Sequence, residues 1–266
     1  MHEVYTLQQG TQPLLVSVPH VARELPPDQQ HRYTERALQF EDADWHLDEL
    51  YGFVRSLGAS LIVPRYSRYL IDLNRPPENA PMYPGVNNTE LCPTRFFTGD
   101  PLYRTGMAPD ASEIARRVRR YWQPYHDALR VELQRLHTAH GHVVLFDGHS
   151  IKSELPWLFD GRLPDLNLGT ASGASCASGL RAALNRVLDT QAHYTHVTDG
   201  RFKGGYITRH HGRPERGIHA VQLEMCWSCY MAEQPPYEID ARRMARLLPV
   251  LLALVHTMLH WQPHGG

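Results

Sequence analysis

The sequence predicts an α/β fold: a mixed, mostly parallel central sheet with helices on both faces. Two observations carry this expectation. Short apolar, β-rich runs alternate with longer segments of helical period, and that alternation favours a parallel sheet covered on both sides. The chain has 266 residues, 42% of them hydrophobic, enough for a substantial core. No internal repeat, low-complexity tract or linker divides it, so one domain over residues 1–266 is expected.

The first strand-like run, PLLVSVPH (13–20), stops at Pro19-His20. A helical segment over 34–57 follows. ASLIVPRYSRYLIDLNR (59–75) holds two strand-like runs, the second closing at Asp72, Asn74 and Arg75. Residues 76–108 form a long connection rich in Pro and Gly, of a length that compact domains often reserve for function. Helical period returns over 110–139, where Pro124 should kink or divide the helix. HVVLFDGHS (142–150) is a buried strand running into Asp147-Gly148-His149-Ser150, four residues that taken alone describe an ordinary turn. A helix over 173–190, a strand at IHAVQLEM (218–225) and a helix over 238–260 complete the pattern.

The net charge of −1 gives no broad field to attract nucleic acid or an anionic membrane. MHEVYTLQQGTQPLLV has no basic region leading into an apolar run, and nowhere do about 18 apolar residues stand together. A soluble, cytoplasmic protein acting on a small molecule is expected; its oligomeric state is not legible. Four cysteines do not form a disulfide framework at this length and fit a reducing compartment. Cys226-Trp227-Ser228-Cys229 is a C-x-x-C with no second pair, so packing residues are expected. A thiol-redox protein built on Cys226 and Cys229 is the distant alternative.

Polar residues gather where parallel sheets bind ligands, at the carboxyl ends of strands: His20, Asn74-Arg75, Asp147, His149 and Glu224. Singly, each has a plain structural explanation: a turn histidine, a surface ion pair, a paired buried acid. Together they suit a catalytic zinc, which takes three nitrogen or oxygen ligands from protein and leaves one position for water. His20 and His149 supply two ligands, and a carboxylate is the expected third. FEDADWHLDELY (40–51) crowds Asp42, Asp44, His46 and Asp48 at the start of a helical segment, where acids are favoured for dipole reasons as well, and the spacing does not choose among them. Asp147 also suits an acceptor that orients an imidazole. Ligands of this kind do not separate zinc from cobalt, iron or manganese. In FKGGYITRHHGRP (202–214), Gly204-Gly205 permits unusual backbone geometry beside Tyr206, Arg209 and the pair His210-His211.

The motifs SVPH (17–20), DADWHLDELY (42–51), IDLNRPP (71–77), DGHS (147–150), FKGGYITRHHG (202–212) and HAVQLEM (219–225) occur in one order. From about residue 5 to residue 260 the chain thereby resembles the N-formylglutamate deformylase (N-formylglutamate amidohydrolase) family, which is similar in fold to zinc carboxypeptidases and aspartoacylases. The resemblance implies a three-layer sandwich and a metal-dependent hydrolysis of N-formyl-L-glutamate to formate and L-glutamate, the last step of a histidine degradation route. It implies that Asn74-Arg75 holds a substrate carboxylate and that Glu224 is the general base. The carboxypeptidase pattern has a metal-binding Glu three residues after the first histidine; here Arg23 stands there and Glu24 one residue later, so the resemblance moves the third ligand to Asp44, beside His20 and His149. A formyl group offers little surface, so specificity rests on the two carboxylates of the glutamyl part, which guanidinium groups accept bidentately. Arg75 and Arg209 are the expected readers, with Arg213 in reserve and Tyr206 beside them; His210 and His211 are candidate oxyanion donors. The nearer alternative is another zinc-dependent N-acyl amino acid deacylase or carboxypeptidase on the same scaffold.

Overall fold

The computed structural model describes residues 4–81 and 88–263. Its strands are β1 (Tyr5–Gln8), β2 (Leu14–Ser17), β3 (Ser60–Pro64), β4 (Val143–Ile151), β5 (Leu166–Gly169), β6 (His196–Thr198) and β7 (Ile218–Cys226). They form one sheet in the order β1-β3-β2-β4-β7-β5-β6. β1 runs antiparallel to β3 and β5 antiparallel to β7, while the other pairs are parallel. The helices are α1 (Pro27–Gln30), α2 (Leu47–Leu50), α3 (Ala111–Arg117), α4 (Gln123–His140), α5 (Ser178–Thr190), α6 (Tyr206–His211) and α7 (Ala241–His260). The expected mixed, mostly parallel sheet is therefore present.

Alternation along the strands divides the core in two. Leu14, Val16, Val144, Phe146, Val221 and Leu223 pack with Leu50 of α2, Leu184 of α5 and Leu251 of α7. Leu15, Val143, Leu145 and Ala220 turn the other way, onto Tyr125, Leu129 and Leu133 of α4 and Ile207 of α6. Two residues further along each strand, this second face changes character. Ser17 follows Leu15, Asp147 and His149 follow Leu145, and Gln222 and Glu224 follow Ala220, all of them buried. The central strands thus carry an apolar face at one end and a buried polar face at the other.

The structure departs from the sequence expectations where polar contacts overrule local pattern. Residues 69–75 are not a strand: the Asp72 carboxylate accepts the Asn74 N–H and binds Arg68 and His20, folding the chain into turns. The segment 34–57 is not one helix, because Phe40 (φ 53°) and His46 (φ 63°) are left-handed and leave only α2 and short 3-10 turns. DGHS is strand and not turn, since β4 pairs with β7 residue by residue as far as Ile151. Pro124 does not divide its helix; a π-helical stretch, Val118–Trp122, joins α3 to α4 just before it. β1, β5, β6 and α6, none longer than six residues, were not foreseen. The described parts of 76–108 contain isolated bridges and no helix or strand, and residues 82–87 lie outside the described residues.

Gly148 lies between two site residues, and a Cβ there would stand 2.8 Å from Cε2 of Tyr51. Tyr51 is fully buried with its ring edge-on to Phe146, so it has little room to yield. Gly148→Ala should lower stability by about 1–3 kcal/mol, read as a shift in the urea midpoint at unchanged slope. An unaltered midpoint would show that the Tyr51 ring moves freely.

Candidate active site

His20 lies just past the end of β2, His149 within β4, and Asp44 in the turn before α2. All three are buried, at 2%, 2% and 1% exposure. His149 Nδ1 stands 3.2 Å from both His20 Nδ1 and Asp44 Oδ2, and His20 Nδ1 is 3.7 Å from the same oxygen. The outer nitrogens face carboxylates: His20 Nε2 is 2.7 Å from Asp72 Oδ1, and His149 Nε2 is 2.8 Å from Asp147 Oδ2. An ionised carboxylate only accepts, so each Nε2 carries a proton and each neutral ring turns its Nδ1 lone pair inward. Two lone pairs and a carboxylate oxygen then crowd one point. That arrangement is stable only with positive charge among them.

Several features show which charge fits. Ligand atoms about 2.1 Å from one tetrahedral ion stand about 3.4 Å apart, close to the 3.2–3.7 Å found here. Asp44 Oδ1 is buried and has no hydrogen-bond partner among the described residues. Among those residues, this is the group of nitrogen and oxygen donors close enough to share an ion. Arg68 supplies part of the charge, with Nη1 3.1 Å from His20 Nδ1 and Nη2 2.6 Å from Asp72 Oδ2. Burial opposes a charge on His149, but Asp147 and Asp44 outweigh it and hold its pKa well above the ordinary imidazole value. Burial likewise opposes ionisation of Asp44, and the nearby imidazoles of His149 and His20 reverse that, keeping the carboxyl below its usual range. The site thus holds either an extra proton or a cation.

The other acids weighed for this position lie elsewhere. Asp42 Oδ2 accepts from Tyr69 Oη and the Phe97 N–H, both at 3.0 Å, and burial pushes its carboxyl up to about 6. Asp48 lies in the first turn of α2. Glu24 is paired with Arg65 at the surface, and Arg23 lies over the Trp45 ring.

A cavity opens onto the cluster. Its wall includes His20, His149, Asn74, Arg75, Gln222 and Glu224. Glu224 lies level with His149 in the β4–β7 register, and burial, eased by His149, pushes its carboxyl up to about 8. Asn74 rests against the His149 ring, its Nδ2 3.0 Å from Nε2, and its side-chain Oδ1 accepts the Ile207 N–H at the start of α6. Gly205 permits this approach, since a Cβ there would lie 2.2 Å from Asn74 Nδ2. Arg75 is held from three sides, Nε and Nη2 donating to Thr89 and Nη1 to the Asn74 carbonyl.

The polar residues after Gly205 in FKGGYITRHHGRP are placed differently from the expectation. α6 leads away from the cavity, and Tyr206, Arg209, His210 and Arg213 are not in its wall. Arg209 Nε donates to the Gly204 carbonyl, and Arg213 donates to the carbonyls of Arg209 and Gly212. Tyr206 stacks on His210, and with Arg213 and His211 they line a second groove against Trp122 and His126. His211 is itself bonded to His126. Conversely, Asp72, Arg68, Gln222 and Arg201 belong to the site or its wall and were not singled out from sequence. Only Asp72 left a signal, two residues before Asn74 in IDLNRPP.

Cys226 and Cys229 are buried and free, and their thiols point at the carbonyls of Leu163, Pro164 and Asp165. Burial raises both pKa values, that of Cys229 to about 12, so neither is a thiolate near neutral pH. Nothing in this setting favours redox chemistry.

Comparison with known proteins places the chain in a family. The model of the N-formylglutamate amidohydrolase family matches residues 12–231. An N-formylglutamate deformylase of Pseudomonas aeruginosa is 46% identical over 261 residues, covering 98% of each chain. Its Pseudomonas putida counterpart is 45% identical over 261 residues, covering 98% of this chain and 97% of its own. The crystal structure of an N-formylglutamate amidohydrolase from Ralstonia eutropha superposes with a TM-score of 0.78 at 23% identity, covering 96% of this chain and 98% of that one. A gene product of Agrobacterium tumefaciens gives 0.73 at 18% identity, covering 97% and 95%. These two likenesses bear on the fold, whereas the family model and the Pseudomonas relatives bear on kinship. The chain belongs to the N-formylglutamate amidohydrolase family.

Proposed function

We propose that this protein hydrolyses N-formyl-L-glutamate to formate and L-glutamate with one divalent ion, zinc, held by His20, Asp44 and His149. The observation that carries the reading is the buried cluster of those three residues beside Glu224, at a cavity that also presents Arg75. The names of the Pseudomonas relatives supply the substrate. The free buried cysteines are consistent with the reducing cytoplasm, and among the described residues no helix is long and apolar enough to cross a membrane.

A zinc ion held by His20, Asp44 and His149 would supply Lewis acidity and a more nucleophilic water near neutral pH. Every other task falls to the chain. Asp72 and Asp147 orient the two imidazoles through their Nε2 protons. Glu224, ionised, takes a proton from the attacking water as the new C–O bond forms, and returns it to the glutamate nitrogen as the C–N bond breaks. Its raised pKa suits both halves of that transfer. Arg75, fixed by Thr89 and next to Asn74, holds the carboxylate nearest the scissile amide. The direct test is formate release from N-formylglutamate before and after chelation, with zinc added back. Activity that survives complete removal of metal would end the proposal.

Two further outcomes follow from the assigned roles. Glu224→Gln should lower kcat by about 10²- to 10⁴-fold with little change in KM and unchanged metal content; near-normal turnover would remove Glu224 from proton transfer. Zinc binding should also release a proton. In the metal-free protein His149 has a raised pKa and holds an extra proton that the ion must displace. Below that pKa, zinc affinity should rise about tenfold per pH unit and level off above it. Calorimetry in buffers of different ionisation enthalpy measures the proton directly, and a release of zero near neutral pH would contradict the site's electrostatics.

A further inference from the structure

The cavity offers a second guanidinium that neither the sequence motifs nor the mechanism has used. Arg201 lies three residues beyond β6, in the loop leading to Gly204 and Gly205, and is part of the cavity wall. One of its nitrogens, Nη2, donates to the Leu158 carbonyl at 2.9 Å, which joins this loop to the segment 155–160. Leu158, Phe159 and Phe202 line the cavity around it, the two phenyl rings meeting edge to face at 6.3 Å. The guanidinium carbon is 5.9 Å from the centre of the Phe202 ring. This corner therefore combines one cation with an apolar surround.

The covalent structure of the proposed substrate sorts its two carboxylates between the two arginines. The α-carboxylate is bonded to the carbon that bears the scissile nitrogen, so the cation that reads it must lie near the metal cluster. Arg75 meets that condition, because its neighbour Asn74 touches His149. The other carboxylate lies beyond two methylene groups. It needs a cation on another part of the wall, with apolar surface between for the methylenes, and the Arg201 corner provides both. Arg68 is committed to Asp72 and Asp44. Arg209 and Arg213 lie outside the cavity wall.

We infer that Arg201, at the corner formed by Leu158, Phe159 and Phe202, binds the side-chain carboxylate of the substrate and sets the requirement for a dicarboxylate. The inference rests on the N-formylglutamate reading and names the residue that enforces it. Sites built to pair a buried polar group reject analogues lacking it far more strongly than sites that sense shape alone.

The test compares kcat/KM for N-formylglutamate with that for N-formylnorvaline, which has a methyl group in place of the side-chain carboxylate. The ratio is taken on one zinc-loaded preparation, so it does not depend on the folded fraction. The unmodified protein should favour the glutamate substrate by about 10²- to 10⁴-fold. Arg201→Met should collapse that ratio to within about tenfold by raising KM for N-formylglutamate, with little effect on N-formylnorvaline. Arg201→Gln retains a donor for the Leu158 carbonyl; it should collapse the ratio equally, whereas a purely structural role would be rescued by it. Arg209→Met should leave the ratio within about threefold of the original. A preserved ratio in the two Arg201 variants, or a ratio lost in Arg209→Met instead, would overturn the inference and leave the deformylase reading standing. Failure of the unmodified protein to hydrolyse N-formylglutamate would end that reading first.

Discussion

Two hydrogen bonds that point away from the centre organise this molecule: from His20 Nε2 to Asp72 and from His149 Nε2 to Asp147. By fixing the outer protons they leave the two inner Nδ1 atoms, 3.2 Å apart, to share Arg68, an added proton or a cation. Asp44 adds a carboxylate oxygen to the same point. Three buried carboxylates therefore surround two imidazoles, with Arg68 as the salt-bridged arginine among them. Unbalanced charge of this kind is costly inside a protein. A bound cation would remove the cost, so an arrangement poor for stability alone suits a metal-dependent centre.

The sheet supplies the precision that such a centre needs. β4 lies between β2 and β7, so His20, His149 and Glu224 come from three adjacent parallel strands or their immediate ends. Apolar residues earlier on the same face anchor those strands against α4 and α6. The second contribution is backbone proximity. Gly205 lets the start of α6 press against Asn74, whose amide reaches the His149 ring, while the Gly205 N–H donates to Gln222. One glycine thus holds together Asn74, the cluster of His20, Asp44 and His149, and the third strand.

Much of this placement was readable from the chain because polar residues coincide there with the ends of apolar strands. His20 and His149 stand out as histidines at the ends of apolar strand runs, and Glu224 as an acid in another. What could not be read was contact between distant segments. Asp72 meets His20 across 52 residues, and no spacing rule announces that pair. The same limit explains the arginines. In FKGGYITRHHGRP the polar residues look like one cluster, but a six-residue helix turns Tyr206 and His210 towards a different groove, which Arg213, just past its end, also lines. Helical period is invisible over so short a stretch. Arg201 carried no signal because its role depends on Leu158 and Phe159, brought near by the pairing of β5 with β6. The run at 69–75 failed for a related reason: its apolar residues do fill the core, but the buried Asp72 sets the backbone.

The claim on which all else rests is that His20, Asp44 and His149 provide a nitrogen and oxygen site for one ion. X-ray absorption at the zinc edge of protein loaded with one equivalent addresses it most directly. Two imidazole nitrogens and carboxylate or water oxygens at about 2.0–2.2 Å, with no sulfur, are the expected shell; Asp44→Ala should remove one oxygen scatterer or prevent loading. A sulfur shell at about 2.3 Å, or a shell without imidazole, would place the ion elsewhere and contradict the assignment.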